Sequence, residues 1–163
     1  MPAPLGYSRT HIILHWLVAG LLVLQFLLNE TITESFDAAL EGHAVPMSLL
    51  GAQHVLTGMT IAILVIWRLV LRRKNGVPSL PANEPAMMKL IAHLTHWGLY
   101  ALLLLTALSG SVAWFGLVEQ AGDMHGLLTT LILILTGLHV VGALYHQFVL
   151  KTNLMDRMRT PNL

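Results

Sequence analysis

The sequence predicts an all-α membrane protein, an antiparallel four-helix transmembrane bundle with both termini cytoplasmic. Of its 163 residues, 55% are hydrophobic and only 10% charged, against about 25% charged in a soluble globular domain. The mean hydropathy of +0.69 is too high for a disordered chain and leaves too little polar surface for a solvated one. Four long apolar runs, each near the roughly 20 residues a helix needs to cross the hydrocarbon core, fill most of the length.

The first run spans about 12–28. Only Arg9 precedes it among basic residues, it contains His15, and no small-residue cleavage site follows, so it reads as a retained span and not a secretory signal. A polar loop, 29–53, leads to the second run at 54–71. A Pro-rich connector from Arg72 to Lys89 precedes the third at 90–115. A short turn around Glu119 to Asp123 leads to the fourth, 125–150, and a basic tail closes the chain. The whole of 1–163 reads as one membrane domain. With alternating spans, Arg9, Arg68, Arg72, Arg73, Lys74, Lys89, Lys151, Arg157 and Arg159 share one side. The opposite loops carry Glu30, Glu34, Asp37, Glu41, Glu119 and Asp123 with no Lys or Arg. The positive-inside rule puts the basic side, and both termini, in the cytoplasm.

Composition also narrows the chemistry. A net charge of +1 excludes a strongly basic nucleic-acid binder. Zero cysteines remove disulfides, thiolate zinc sites, iron–sulfur clusters and thiol nucleophiles together. There is no Gly-rich phosphate loop, Ser/His/Asp arrangement or metalloprotease motif. What stands out is nine histidines, because an imidazole within a bilayer is costly unless something uses or satisfies it.

Orientation converts sequence position into depth at about 1.5 Å per residue. His11, His15, His93 and His96 then lie near the cytoplasmic starts of the first and third spans, and His54 and His125 near the outer surface. His139 follows His125 by fourteen residues, about 21 Å and close to four turns, so one helix face carries an imidazole in each leaflet. Two imidazoles from facing helices at matched depth can bind the iron of a b-type haem on its axis, in the slot a helical bundle provides. His54 and His125 form one such pair. In the inner layer His139 needs a partner; His15 is the obvious one, and His93 or His96 could take its place. Gly58, Gly126, Gly137 and Gly142 lie near these residues, where small side chains allow close approach, as helix packing alone also requires.

Blander readings compete at several positions. His11, His43 and His146 read as ordinary wet residues at the interfaces. Trp16, Trp67, Trp97 and Trp114 fit interfacial belts. Met47, Met59, Met87, Met88 and Met124 read as packing material, although thioethers can be axial ligands. Arg68 fits the positive-inside rule, or pairs with a haem propionate. His93 and His96, with Trp97, fit a second layer around the metal or a quinone site.

Four stretches carry a family resemblance: "YSRTHIILHWLVAGLLVL", "QHVLTGMTIAILVIWRLVLR", "LIAHLTHWGLYALLLLTALSG" and "MHGLLTTLILILTGLHVVGALYHQFVLK". Over about Tyr7 to Met158 the chain resembles the bacterial cytochrome b561 family. The resemblance implies a four-helix cytochrome of the bacterial inner membrane with two haem b groups. It would pass electrons between ubiquinone and a second redox partner, with His15 and His139 ligating the cytoplasmic haem and His54 and His125 the periplasmic one. One branch of that family oxidises superoxide at the periplasmic face, which the acidic outer loops oppose here, since they repel an anion. A second reading is a haem-binding membrane anchor subunit of a dehydrogenase or hydrogenase complex, docking a soluble partner. A third makes the histidines a proton or metal-ion path, and predicts a colourless protein.

Overall fold

The computed structural model describes residues 6–28, 30–43, 48–79, 84–152 and 154–161. Its helices are α1 (Arg9–Leu27), α2 (Glu30–Leu40), α3 (Leu49–Asn75), α4 (Ala86–Gly116) and α5 (Glu119–Leu144), with no strand among the described residues. α5 continues through a π-helical turn, Tyr145–Val149, and a 3-10 helix, Leu154–Met158, follows. Four of these are long and apolar enough to cross a membrane: α1, α3, α4, and α5 with its π-helical turn. The shortest, α1, has 19 residues, about 28 Å of helix against a hydrocarbon core of about 30 Å.

Local signals set the helix ends. The Ser8 hydroxyl accepts from the His11 amide at 3.3 Å, and that of Ser48 from the Gly51 amide at 2.9 Å, each capping a helix start. Arg72, Arg73 and Lys74 fill the last turn of α3, where cations complement the helix dipole, and Gly76 stops it with φ 72°. Pro85 precedes α4, and Glu119 occupies the first turn of α5. Between them Leu117 turns the chain with φ 51°, a left-handed conformation that costs a non-glycine residue about 1–2 kcal/mol.

Several helix boundaries differ from those expected from the sequence. The outer loop contains α2, whose apolar residues Ile32 and Phe36 recur at helical spacing between acidic ones. α5 begins at Glu119, so the expected turn at Glu119 to Asp123 is helix and the connection shrinks to Leu117 and Val118. α3 and α4 reach into the expected loops, because a helix continues past the hydrocarbon into the polar headgroup region. Met47 lies outside the described residues.

α1 packs on α3, α3 on α4 and α4 on α5. Large apolar side chains such as Leu27, Ile63 and Phe148 point outward, as lipid requires. Inside, Val18, Ile61, Val65, Tyr100, Leu103 and Ile132 form one buried cluster contributed by all four long helices. Ile132 lies seven residues from both His125 and His139 on α5. The core is therefore an apolar floor between two histidine levels, one at the acidic end of the bundle and one at the basic end.

Two ties close the basic end. The Trp16 indole N–H donates to the Met158 carbonyl at 2.7 Å. The Arg157 guanidinium donates to the Ser79 carbonyl at 2.6 Å. The C-terminal segment is thereby held to both α1 and the α3–α4 connector, and the described N- and C-terminal residues lie at one end of the bundle.

Candidate functional site

At the acidic end, α3 presents His54 and α5 presents His125 with ring centres 6.1 Å apart and planes at 69°. At the basic end, α1 presents His15 and α5 presents His139 at 6.3 Å and 68°. The same spacing thus occurs twice, fourteen residues apart along α5. Two imidazoles gripping one metal from opposite sides, with bonds of about 2 Å, have ring centres about 6 Å apart. Both pairs fit that requirement. Among the described residues no group of three or more His, Asp or Glu side chains is arranged to hold a metal ion.

The acidic-end pair faces a cavity of about 310 Å³ between the four long helices. Ile61, Leu103 and Ile132 form its floor, and Ile32, Thr33 and Phe36 of α2 line its outer side. The His125 Nδ1–H donates to the Thr106 carbonyl at 2.9 Å, which fixes the tautomer and leaves Nε2 with its lone pair free. Gly110 makes this possible: a Cβ there would lie 2.8 Å from two atoms of the His125 ring. Across the cavity, the Gln25 amide donates to the His54 carbonyl at 2.9 Å, tying α1 to α3. Gly58 leaves room for that amide, which a Cβ would approach to 3.2 Å. Gly58 and Gly126 line the cavity, and a Cβ at Gly126, Gly137 or Gly142 would meet nothing within 4 Å.

The basic-end pair has a third imidazole beside it. His96 lies 5.2 Å from His139, centre to centre, and its Nδ1–H donates to the Ala92 carbonyl at 2.6 Å. That spacing is about an ångström short of what one shared metal needs, so His15 matches the requirement and His96 does not. His93 is exposed on α4, bonded to the Lys89 carbonyl. Arg68 is buried, with its guanidinium 5.5 Å over the Tyr100 ring, and its charge acts on His15, His96 and His139. Arg72 lies 5.2 Å over the Trp97 ring. The Nδ1 atoms of His15 and His54, and Nε of Arg68, are buried with no hydrogen-bond partner in the protein. Unmet polar atoms on both rings and on a buried cation suit a site that takes a metal and an anionic group.

Of the histidines expected as wet interface residues, one is buried and one is only partly exposed. His11 is buried under Tyr7, whose ring stacks on it at 4.8 Å. His146 is mostly covered and faces Glu84, which precedes α4. His43 is exposed beside Glu41, as expected. Thr106, Gly110 and Gln25 escaped the sequence reading; the glycine between two serines in "LSGSVAW" was the available signal.

The sequence pattern of the family described as prokaryotic cytochrome b561 matches residues 6–161. A cytochrome b562 from Cereibacter sphaeroides is 35% identical over 156 residues, covering 96% of each chain. A protein of Yersinia pestis named probable superoxide oxidase CybB is 28% identical over an alignment of 173 residues, covering 93% of this chain and 94% of that one.

Proposed function

The chain belongs to the prokaryotic cytochrome b561 family, and from that premise we propose that it carries two haem b groups and exchanges electrons with ubiquinone across the bacterial inner membrane. Membership and the four spans make it a multi-pass membrane protein of haem-b electron transfer. Bound haem iron supplies the one-electron redox chemistry. In this reading His54 and His125 hold one haem at the acidic end, and His15 and His139 hold the other at the basic end. The repeated spacing of about 6 Å at matched depth is the observation that carries it. The irons would lie about 20 Å apart along α5. The positive-inside rule makes the basic end cytoplasmic.

Each remaining residue has a role in that reading. The Thr106 carbonyl holds the His125 ring in one tautomer. Arg68 offers a buried cation for a propionate, and Arg68→Gln should then shift one haem potential. His93, His96 and Trp97 border the quinone site, at the end where water can exchange protons; His96→Ala should slow quinone-linked haem turnover.

The packed apolar layer between the pairs favours electron transfer over an ion path, since a proton or metal ion needs continuous polar groups. Superoxide oxidation, the activity in the name of the Yersinia pestis relative, would bring an anion to an end bearing Glu34, Asp37, Glu119 and Asp123 with no Lys or Arg in its loops. We therefore place it second to quinone-linked transfer through the two haems.

The test is the haem-to-protein ratio with spectra. The purified protein should hold two low-spin haems. His54→Ala and His125→Ala should each lose one of them, and His15→Ala and His139→Ala the other. A ratio of one, or loss of different haems within a pair, would refute the assignment.

A further inference from the structure

The basic end holds a buried acid–base contact that electron transfer between the pairs leaves unused. Glu84, just before the Pro85 that opens α4, has a side chain only 4% exposed, and its Oε1 lies 3.5 Å from Nε2 of His146 in the π-helical turn. That oxygen has no hydrogen-bond partner in the protein. On the other side of the ring, His146 Nδ1 lies 3.1 Å from the Thr152 hydroxyl. Thr152 donates its hydroxyl to the His146 carbonyl at 3.3 Å and its amide to the same carbonyl at 3.0 Å. The Thr152 hydroxyl thus lies within reach of both the His146 carbonyl and Nδ1, and the ring's tautomer sets which of them it bonds. On the other side Nε2 faces a carboxylate oxygen, and a proton on either atom would bridge the two. Buried together, these groups attract only when a proton lies between them. The side chain of His146 is 18% exposed, so the pair is open to solvent on one side.

We propose that Glu84 and His146 form the proton-exchange pair for a quinone reacting at the basic end; this rests on the quinone reading above. His146 lies seven residues beyond His139 on α5, about 10 Å nearer the surface. His96 is level with His139, and His93 lies one turn beyond it on the antiparallel α4. Titratable groups therefore step outward from the level of the basic-end pair. A quinone becoming a quinol takes two electrons and two protons. A bound haem would supply the electrons one at a time. For each proton, the bond to Glu84 or His146 breaks as an O–H bond to the quinone forms, and the pair reloads from water. Quinol oxidation runs the same steps backwards, with the pair as acceptor.

The haem-loaded, full-length protein is mixed with a short-chain ubiquinol while haem absorbance is followed. Glu84→Gln, close in shape but unable to carry the charge, should slow haem reduction about a hundredfold and enlarge the solvent deuterium isotope effect, because proton acceptance becomes the slow step. Reduction by dithionite, which requires no proton transfer, should keep its wild-type rate, and the haem spectrum should be unchanged. Thr152→Val, which removes the hydroxyl beside His146 Nδ1, is the second variant and should slow the quinol reaction by about tenfold. Wild-type quinol rates in both variants would overturn the proposal and leave the quinone reading standing. A wild-type protein that dithionite reduces and quinol does not would remove the quinone reading, and the proposal with it.

Discussion

Gly110 decides where the acidic-end imidazole can sit. With a Cβ 2.8 Å from the His125 ring, Gly110→Ala forces the ring away from the Thr106 carbonyl or α5 away from α4, at about 1–3 kcal/mol of overpacking. The expected outcome is loss of one haem from the absorption spectrum with the other intact, the same haem that His125→Ala removes. At the opposite end, burial holds the Tyr7 phenol above its ordinary value; Tyr100 adds to this, while Arg72, Arg68 and Arg157 oppose it. The folded chain therefore keeps the Tyr7 proton to higher pH than the unfolded chain does. The stability this contributes is fully present below the ordinary phenol range and is lost as pH rises through the raised value. Near-ultraviolet phenolate absorbance should show a late titration step that Tyr7→Phe abolishes, and Tyr7→Phe should blunt the alkaline fall in melting temperature. Histidine type and spacing were legible in the sequence. The supports of each ring were not, because a carbonyl acceptor such as Thr106 leaves no chemical signature on its own helix, and a glycine such as Gly110 does not say which ring it admits.

α2 is the element whose removal would change the acidic end most. Phe36 reaches from it to Gly122 at the start of α5, where a Cβ would meet the ring at 2.8 Å, and it closes one side of the cavity that His54 and His125 face. Phe36→Ala should speed amide exchange in α2, leave it unchanged in the middle of α4 and α5, and weaken retention of the acidic-end haem. Hydrogen-exchange mass spectrometry with haem quantification reads all three. The long spans were legible from their apolar runs, since burial in lipid demands about 20 such residues whatever their partners. α2 was not singled out, because its eleven residues are short for an isolated helix in water and are held by packing on the bundle. The π-helical turn was equally hidden, as nothing in its sequence sets it apart from the helix it ends.

Across the whole molecule, all the basic residues read from the sequence as cytoplasmic belong to one end, and Trp16–Met158 and Arg157–Ser79 tie the described termini there. The absence of cysteine makes the orientation directly measurable. Thr10→Cys and Thr160→Cys should react with a membrane-impermeant thiol reagent only after cells are permeabilised, and Glu34→Cys should react in intact spheroplasts. Reversed labelling would invert the assignment of the quinone end while leaving the two pairs in place.

Composition and spacing alone determined that this chain lives in lipid, crosses it four times and carries imidazoles at two depths, because hydrophobic length and helical rise are properties of one strand of sequence. Which imidazole stands opposite His139 was a tertiary matter. His15 and His96 share a depth with His93 only a turn away, and depth is all a single helix specifies. Only the rotation and separation of α1, α4 and α5 put His15 at 6.3 Å and His96 at 5.2 Å. The same packing buried Glu84 against His146, two residues far apart in the chain whose meeting no local pattern encodes.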